Sequence, residues 1–135
     1  MANTFHLQIV TPTGPKLDGQ VESVTVTTTE GDVGILKNHI NYMAAIPVGK
    51  IKVRQEGKTR KGAVAGGFVR VERDKTVIVV ETCEWCDEID TERARRSKER
   101  AEEALRLRRS DDEVKMAQYR LKKALNRMKI VENQD

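Results

Sequence analysis

At 135 residues the sequence has room for one full domain, or for a small domain with an appendage, and its 25 Lys/Arg against 21 Asp/Glu leave a formal net charge of +4. Residues 1–86 hold 11 Lys/Arg and 9 Asp/Glu and the remaining 49 residues hold 14 and 12, so charge density doubles after Cys86 while each part nets +2. A spread excess of this kind argues against a concentrated basic arm for nucleic acid, and composition favours a small domain followed by a highly charged appendage. No apolar run approaches the roughly 20 residues needed to span a bilayer, and the start lacks the basic-then-apolar layout of a signal peptide. The expected location is cytosolic, or peripheral on a membrane complex.

Phe5-His6-Leu7-Gln8-Ile9-Val10 alternates apolar and polar residues with period two, and Thr11-Pro12-Thr13-Gly14-Pro15 supplies a turn. Val21 to Thr29 repeats the alternation, with Val24 and Val26 on one face and threonines on the other, until Glu30-Gly31-Asp32 breaks it. Val33-Gly34-Ile35-Leu36 and Tyr42-Met43-Ala44-Ala45-Ile46 are short apolar runs on either side of Asn38-His39. Lys50 to Arg54 and Thr59 to Val64 flank Glu56-Gly57, a hairpin signal, and Ala65-Gly66-Gly67-Phe68, Val69-Arg70-Val71 and Lys75 to Val80 complete about eight to ten short strands. Turns every eight to twelve residues suggest a sandwich or flattened barrel. Gly66-Gly67 lacks the Lys-Ser/Thr and the helix of a phosphate loop, so it reads as a bulge or tight bend. His39 has no nucleophile or carboxylate pattern pointing to it and reads as a surface-contact residue.

Cys83 and Cys86 form a lone C-x-x-C. Redox or zinc chemistry would need partners that the sequence does not offer, and two reduced thiols beside a domain hinge are the plainer reading. The hinge is Glu84 to Ala94, where strand-like sequence gives way to helix, and Asp90 is a suitable N-cap. Ala94, Ser97, Ala101, Ala104 and Leu105 then share one helical face. Ser110-Asp111-Asp112-Glu113 matches a capping box that starts a second helix, striped by Val114, Ala117, Leu121, Ala124, Leu125 and Met128. The two helices should fold back as an antiparallel hairpin turning near Arg109. An alanine methyl contributes only about 0.8 kcal/mol on burial, so a hairpin with this seam is expected to be marginal alone and able to extend. The fold expected is α+β, an N-terminal antiparallel β-sandwich over residues 1–86 followed by a two-helix hairpin over 87–135.

Arg93 and Arg100 lie seven residues apart on the first helix, and Lys123 and Arg127 one turn apart on the second. In an antiparallel pair they would line one edge of the open end. Two readings follow. Glu99, Glu103 and their neighbours could neutralise these cations on a solvated face, or an anionic ligand such as a nucleoside triphosphate could bridge both helices.

Jointly, Leu7-Gln8-Ile9-Val10-Thr11-Pro12 with Gly14, Gly31-Asp32-Val33-Gly34-Ile35-Leu36 with His39, Ala65-Gly66-Gly67-Phe68, and Ile89-Asp90-Thr91-Glu92-Arg93-Ala94 resemble the epsilon subunit of bacterial F-type ATP synthases, in its ATP-binding form. The resemblance spans essentially the whole chain. It implies a non-catalytic rotor subunit of the central stalk, peripheral on the cytoplasmic face of the cell membrane. Its sandwich would bind the gamma subunit and the c-ring, with Glu30, Gly31, Asp32, His39 and Tyr42 as ring-facing contacts. Its hairpin would move between compact and extended forms. Extended, it would meet the catalytic beta subunit, within the alpha and beta head, through Lys115, Arg120, Lys122 and Lys123 and suppress ATP hydrolysis. ATP would act as a regulatory ligand holding the compact form, on Glu84, Asp90, Arg93, Ala94, Arg100, Lys123 and Arg127. No visible set of protein ligands calls for magnesium. Lys123 stands where tight-binding members carry arginine, and a lysine lacks the planar fork of a guanidinium, so weaker affinity is expected.

The chain shows no nucleophile and base pair and no metal cluster, so an enzyme is not expected. The alternative, a nucleic-acid-binding module using the basic hairpin, requires a one-signed face and stacking aromatics, whereas the hairpin interleaves acids and offers only Tyr119.

Overall fold

The computed structural model describes residues 3–132. Eight strands come first: β1 Phe5–Thr11, β2 Gly14–Val21, β3 Ser23–Thr28, β4 Gly31–Ile35, β5 Tyr42–Ile46, β6 Gly49–Gln55, β7 Lys58–Glu72 and β8 Lys75–Trp85. A short 3-10 turn at Cys86–Glu88 leads to helices α1, Thr91–Leu107, and α2, Asp111–Glu132. The chain divides into two compact units, the break falling after Trp85.

The strands run in the order β2-β1-β8-β7-β6-β3-β4, with β5 attached to β7. All pairs are antiparallel except β1 with β8, the first and last strands, which run parallel. The β2–β3 corner closes back on β6 through Glu22 N donating to Arg54 O at 2.8 Å and Gln55 Nε2 donating to Gln20 O at 2.9 Å. The alternation read from sequence is realised: Leu7, Ile9, Val21, Val24, Val26, Ile51, Val53, Val69, Ile78 and Val80 fill one core.

Two features differ from expectation. Gly14–Val21, with its Pro, Asp and two Gly, carries little strand signal, yet it pairs along β1 as β2. The segments expected as separate strands from Thr59 to Val71 form one 15-residue strand, β7. It pairs with β6 through Val64, with β8 from Gly62 to Glu72 and with β5 from Gly67 onward. The change of partner falls at Gly66-Gly67. Gly66 has φ +73, and a Cβ on Gly67 would stand 1.7 Å from the Val79 carbonyl oxygen. The pair is therefore a bend at which one strand passes from one layer to the other.

In the helical unit both N-caps form, the Ser110 box, among the described residues, through its serine half alone. Asp90 accepts from Arg93 N at 3.1 Å, and Ser110 Oγ accepts from Glu113 N at 3.1 Å. Arg108 takes the left-handed conformation that ends α1, its amide donating to Ala104 O. Ala94, Ala101, Ala117 and Ala124 are buried at seven-residue spacing on each helix. Leu125 departs from the expected stripe and is 45% exposed, while Ile130, not assigned to it, is buried. The seam follows Ala117 and Ala124 in steps of seven, which turns position 125 away from it.

Candidate functional site

Two groups of residues carry the surface chemistry, one in each unit. On the sandwich, the tight β3–β4 turn is built by Thr28, whose hydroxyl donates to Gly31 O at 2.7 Å and accepts from Glu30 N at 3.1 Å, with Gly31 at φ +110. The turn aims Glu30 at Tyr42, whose hydroxyl donates to Glu30 Oε2 at 2.8 Å. The carboxylate holds the phenol proton, raising the Tyr42 pKa above its ordinary value. His39 lies edge-on to Tyr42, the ring centroids 6.1 Å apart, and its Nδ1 is 2.7 Å from Ile40 O, which requires the proton on Nδ1. Glu30, His39 and Tyr42 thus form one cluster. Asp32 is engaged instead by Thr27 Oγ1, which donates at 2.9 Å, and by Lys50 at 3.7 Å. Beside the cluster in sequence, Leu36, Ile40 and Met43 are 63%, 78% and 64% exposed. Sequence reasoning did not single these three out; a signal was present in apolar residues flanking the Asn38-His39 loop.

On the hairpin, Arg93 belongs to the first turn of α1 and Lys123 and Arg127 to the second half of α2. The carboxylates of α1 are committed elsewhere: Glu92 and Glu99 both pair with Arg95, the latter at 2.5 Å, and Glu103 pairs with Arg106. The reading in which Glu99 and Glu103 neutralise Arg93 and Arg100 is therefore not realised, and among the described residues those two guanidiniums form no ion pair. The Arg95 hydrogen bond draws the Glu92 pKa below the ordinary carboxylate value. Lys123 is half-buried, its ammonium 5.3 Å from the Tyr119 ring centroid. Lys115, Arg120 and Lys122 are exposed. Glu84 lies on β8, in the sandwich unit, whereas Asp90, Arg93, Ala94, Arg100, Lys123 and Arg127 all belong to the hairpin unit. A groove of about 760 Å3 opens at the turn end of the hairpin, and of those residues only Arg100 lines it.

Both thiols are free, Cys83 buried and Cys86 half-buried with its Sγ 3.8 Å from Ile130 O. Among the described residues no group of three or more His, Cys, Asp or Glu is placed to hold a metal ion, and no helix is long and apolar enough to cross a membrane.

The sandwich, residues 4–86, matches the family model of the ATP synthase delta/epsilon chain β-sandwich domain, and residues 87–132 match the long α-helix domain of the same chain. The chain belongs to the ATP synthase delta/epsilon family. It is 41% identical over 133 residues to the ATP synthase epsilon chain of Alkaliphilus metalliredigens, covering 98% of this chain and 99% of that one. It is 43% identical over 131 residues to that of Caldanaerobacter subterraneus, covering 96% and 95%. Among solved structures it is similar in fold to a chain of the Euglena gracilis mitochondrial ATP synthase, with TM-score 0.81, 21% identity, and 92% of this chain and 79% of that one covered. A chain from the central stalk and c-ring of the Tetrahymena thermophila enzyme gives 0.62 at 16% identity, with 93% and 95% covered. As a member of the delta/epsilon family the protein is a stalk subunit of ATP synthase rather than a catalytic one.

Proposed function

We propose that this subunit couples the catalytic head to the c-ring through its sandwich and restrains ATP hydrolysis through its hairpin, with ATP as the ligand that keeps the hairpin compact. The sandwich meets the gamma subunit and the c-ring, and the Glu30, His39 and Tyr42 cluster with exposed Leu36, Ile40 and Met43 offers the mixed polar and apolar chemistry of a contact surface. The extended hairpin presents exposed Lys115, Arg120 and Lys122, with Lys123, to an acidic face of the beta subunit. The subunit would then sit peripherally at the cytoplasmic face of the membrane, held there by the complex.

One observation carries the ATP reading: Glu92, Glu99 and Glu103 of α1 pair with Arg95 and Arg106, and among the described residues Arg93 and Arg100 form no ion pair. Bound ATP supplies the negative charge that these side chains, with Lys123 and Arg127, are suited to hold. Because the alanine seam gives little stability, a ligand at 100 times its dissociation constant adds about 2.7 kcal/mol, enough to shift a marginal hairpin.

The test is amide hydrogen exchange with and without millimolar ATP, read separately over residues 1–86 and 91–130. Protection confined to the hairpin, and lost in Arg93→Ala and Arg127→Ala while the sandwich stays folded, is expected. Unchanged exchange everywhere would remove ATP from the account and leave a coupling subunit governed by protein contacts.

A further inference from the structure

The groove at the turn end of the hairpin is chemically distinct from the open end. Its floor is made of short side chains from both helices, Ser97, Ala101 and Ala104 on α1 and Ala117 on α2, so the backbones approach while the space above them stays open. Its volume of about 760 Å3 falls within the range of about 300–1,000 Å3 usual for small-molecule sites. Three guanidiniums line it, and each comes from a different element: Arg100 from α1, Arg109 from the turn and Arg120 from α2. Among the described residues none of the three forms an ion pair, although Arg95 and Arg106 on the same hairpin are both held by carboxylates. Asp112 and Glu113 also line the groove, yet neither pairs with these arginines. Both stand in the first turn of α2, where the peptide dipole already favours negative charge. Three guanidiniums against two carboxylates leave the lining with a net positive charge, and guanidiniums are bidentate donors suited to phosphate oxygens.

We propose that this groove binds a phosphorylated small molecule or an inorganic polyphosphate, at a site that shares Arg100 with the proposed ATP contacts and is otherwise distinct from them in Arg109 and Arg120. The phosphates bridge Arg100 and Arg109 to Arg120, and any organic part lies against the exposed Met116 side chain. Such a ligand joins both helices at their turn. It also occupies Arg120, so a filled groove and a beta-subunit contact through that residue exclude each other.

The test uses the full chain, with backbone amide and methionine methyl resonances followed by NMR during titration with inorganic tripolyphosphate and, separately, with ADP. Tripolyphosphate is expected to perturb Ala101, Arg109 and Ala117. The Arg109→Gln/Arg120→Gln variant should weaken that binding about tenfold or more, whereas Asp112→Asn, which removes a repelling charge, should tighten it. Arg127→Ala, which lies outside the groove, should leave it unchanged while abolishing any ATP response at Asp90 to Ala94. This separates failure of the groove from failure of the open-end site. A Met116 methyl shift with ADP but not with tripolyphosphate identifies a nucleotide as the fitting source, and equal binding without that shift identifies the phosphate chain itself. The proposal is overturned if millimolar tripolyphosphate perturbs nothing between residues 97 and 120, or if binding survives the double arginine variant. Loss of binding in Arg127→Ala, or saturation of the groove by a glutamate-rich peptide with no response to tripolyphosphate, overturns it equally.

Discussion

Gly67 and Tyr42 show how single positions serve the whole. At Gly67 the strand passes so close to the Val79 carbonyl that no side chain fits. Gly67→Ala should therefore cost about 3 kcal/mol or more, read as a fall in the urea midpoint of the sandwich with an unchanged slope. Tyr42 gives a pH signature. Its phenol proton is held by Glu30, so its pKa lies above the ordinary 10.0. The neutral form is favoured by the fold, and its stabilising contribution is complete below that ordinary value and lost as pH rises through the raised one. In a Tyr119→Phe background, the phenolate absorbance should appear at higher pH than for free tyrosine, and Glu30→Gln should move it down. Glu30 and Tyr42 were legible in sequence only as members of two separate segments. Their hydrogen bond depends on the β3–β4 turn and β5 meeting, a contact over 12 residues that no local pattern encodes.

At the scale of elements, the two helices begin where the sequence says they begin, because capping is local chemistry. Asp90→Ala and Ser110→Ala should each cost the helical unit about 1 kcal/mol, followed as the midpoint of helical circular dichroism in urea. The two losses should add, since the caps serve different helices. The seam was only partly legible. Alanines spaced by seven identified the buried line, but Leu125 lies one residue beyond Ala124 and is carried outward, a distinction that depends on how the helices cross. Charge pairing was the least legible. Glu99 had Arg95 and Arg100 in its neighbourhood, and only the conformation shows that Arg95 takes it. That choice leaves Arg93 and Arg100 outside the ion pairs formed among the described residues.

At the scale of the whole molecule, two compact units meet in sequence at the short Cys86–Glu88 turn. The sandwich buries large aliphatic residues on nearly every strand, whereas the hairpin seam is mostly methyl groups. Unfolding should accordingly proceed in two steps, helical signal going first and the sandwich later. A chain ending at residue 86 should keep the second transition and, on the proposed assignment, keep binding to the gamma subunit and c-ring while losing restraint of ATP hydrolysis. Coincident transitions by circular dichroism and by Trp85 fluorescence would contradict this ordering.

The sequence by itself determined the class of the fold, the division near Cys86, the strand faces, both helix caps and the family, because each rests on local periodicity or on motifs in fixed order. Only the tertiary structure decided that β2 is a strand, that Thr59 to Val71 is one bent strand serving both layers, which carboxylates claim which arginines, and that a groove with three guanidiniums opens at the turn. These are outcomes of competition between partners distant in sequence. Competition of that kind is resolved by which groups the fold brings within reach.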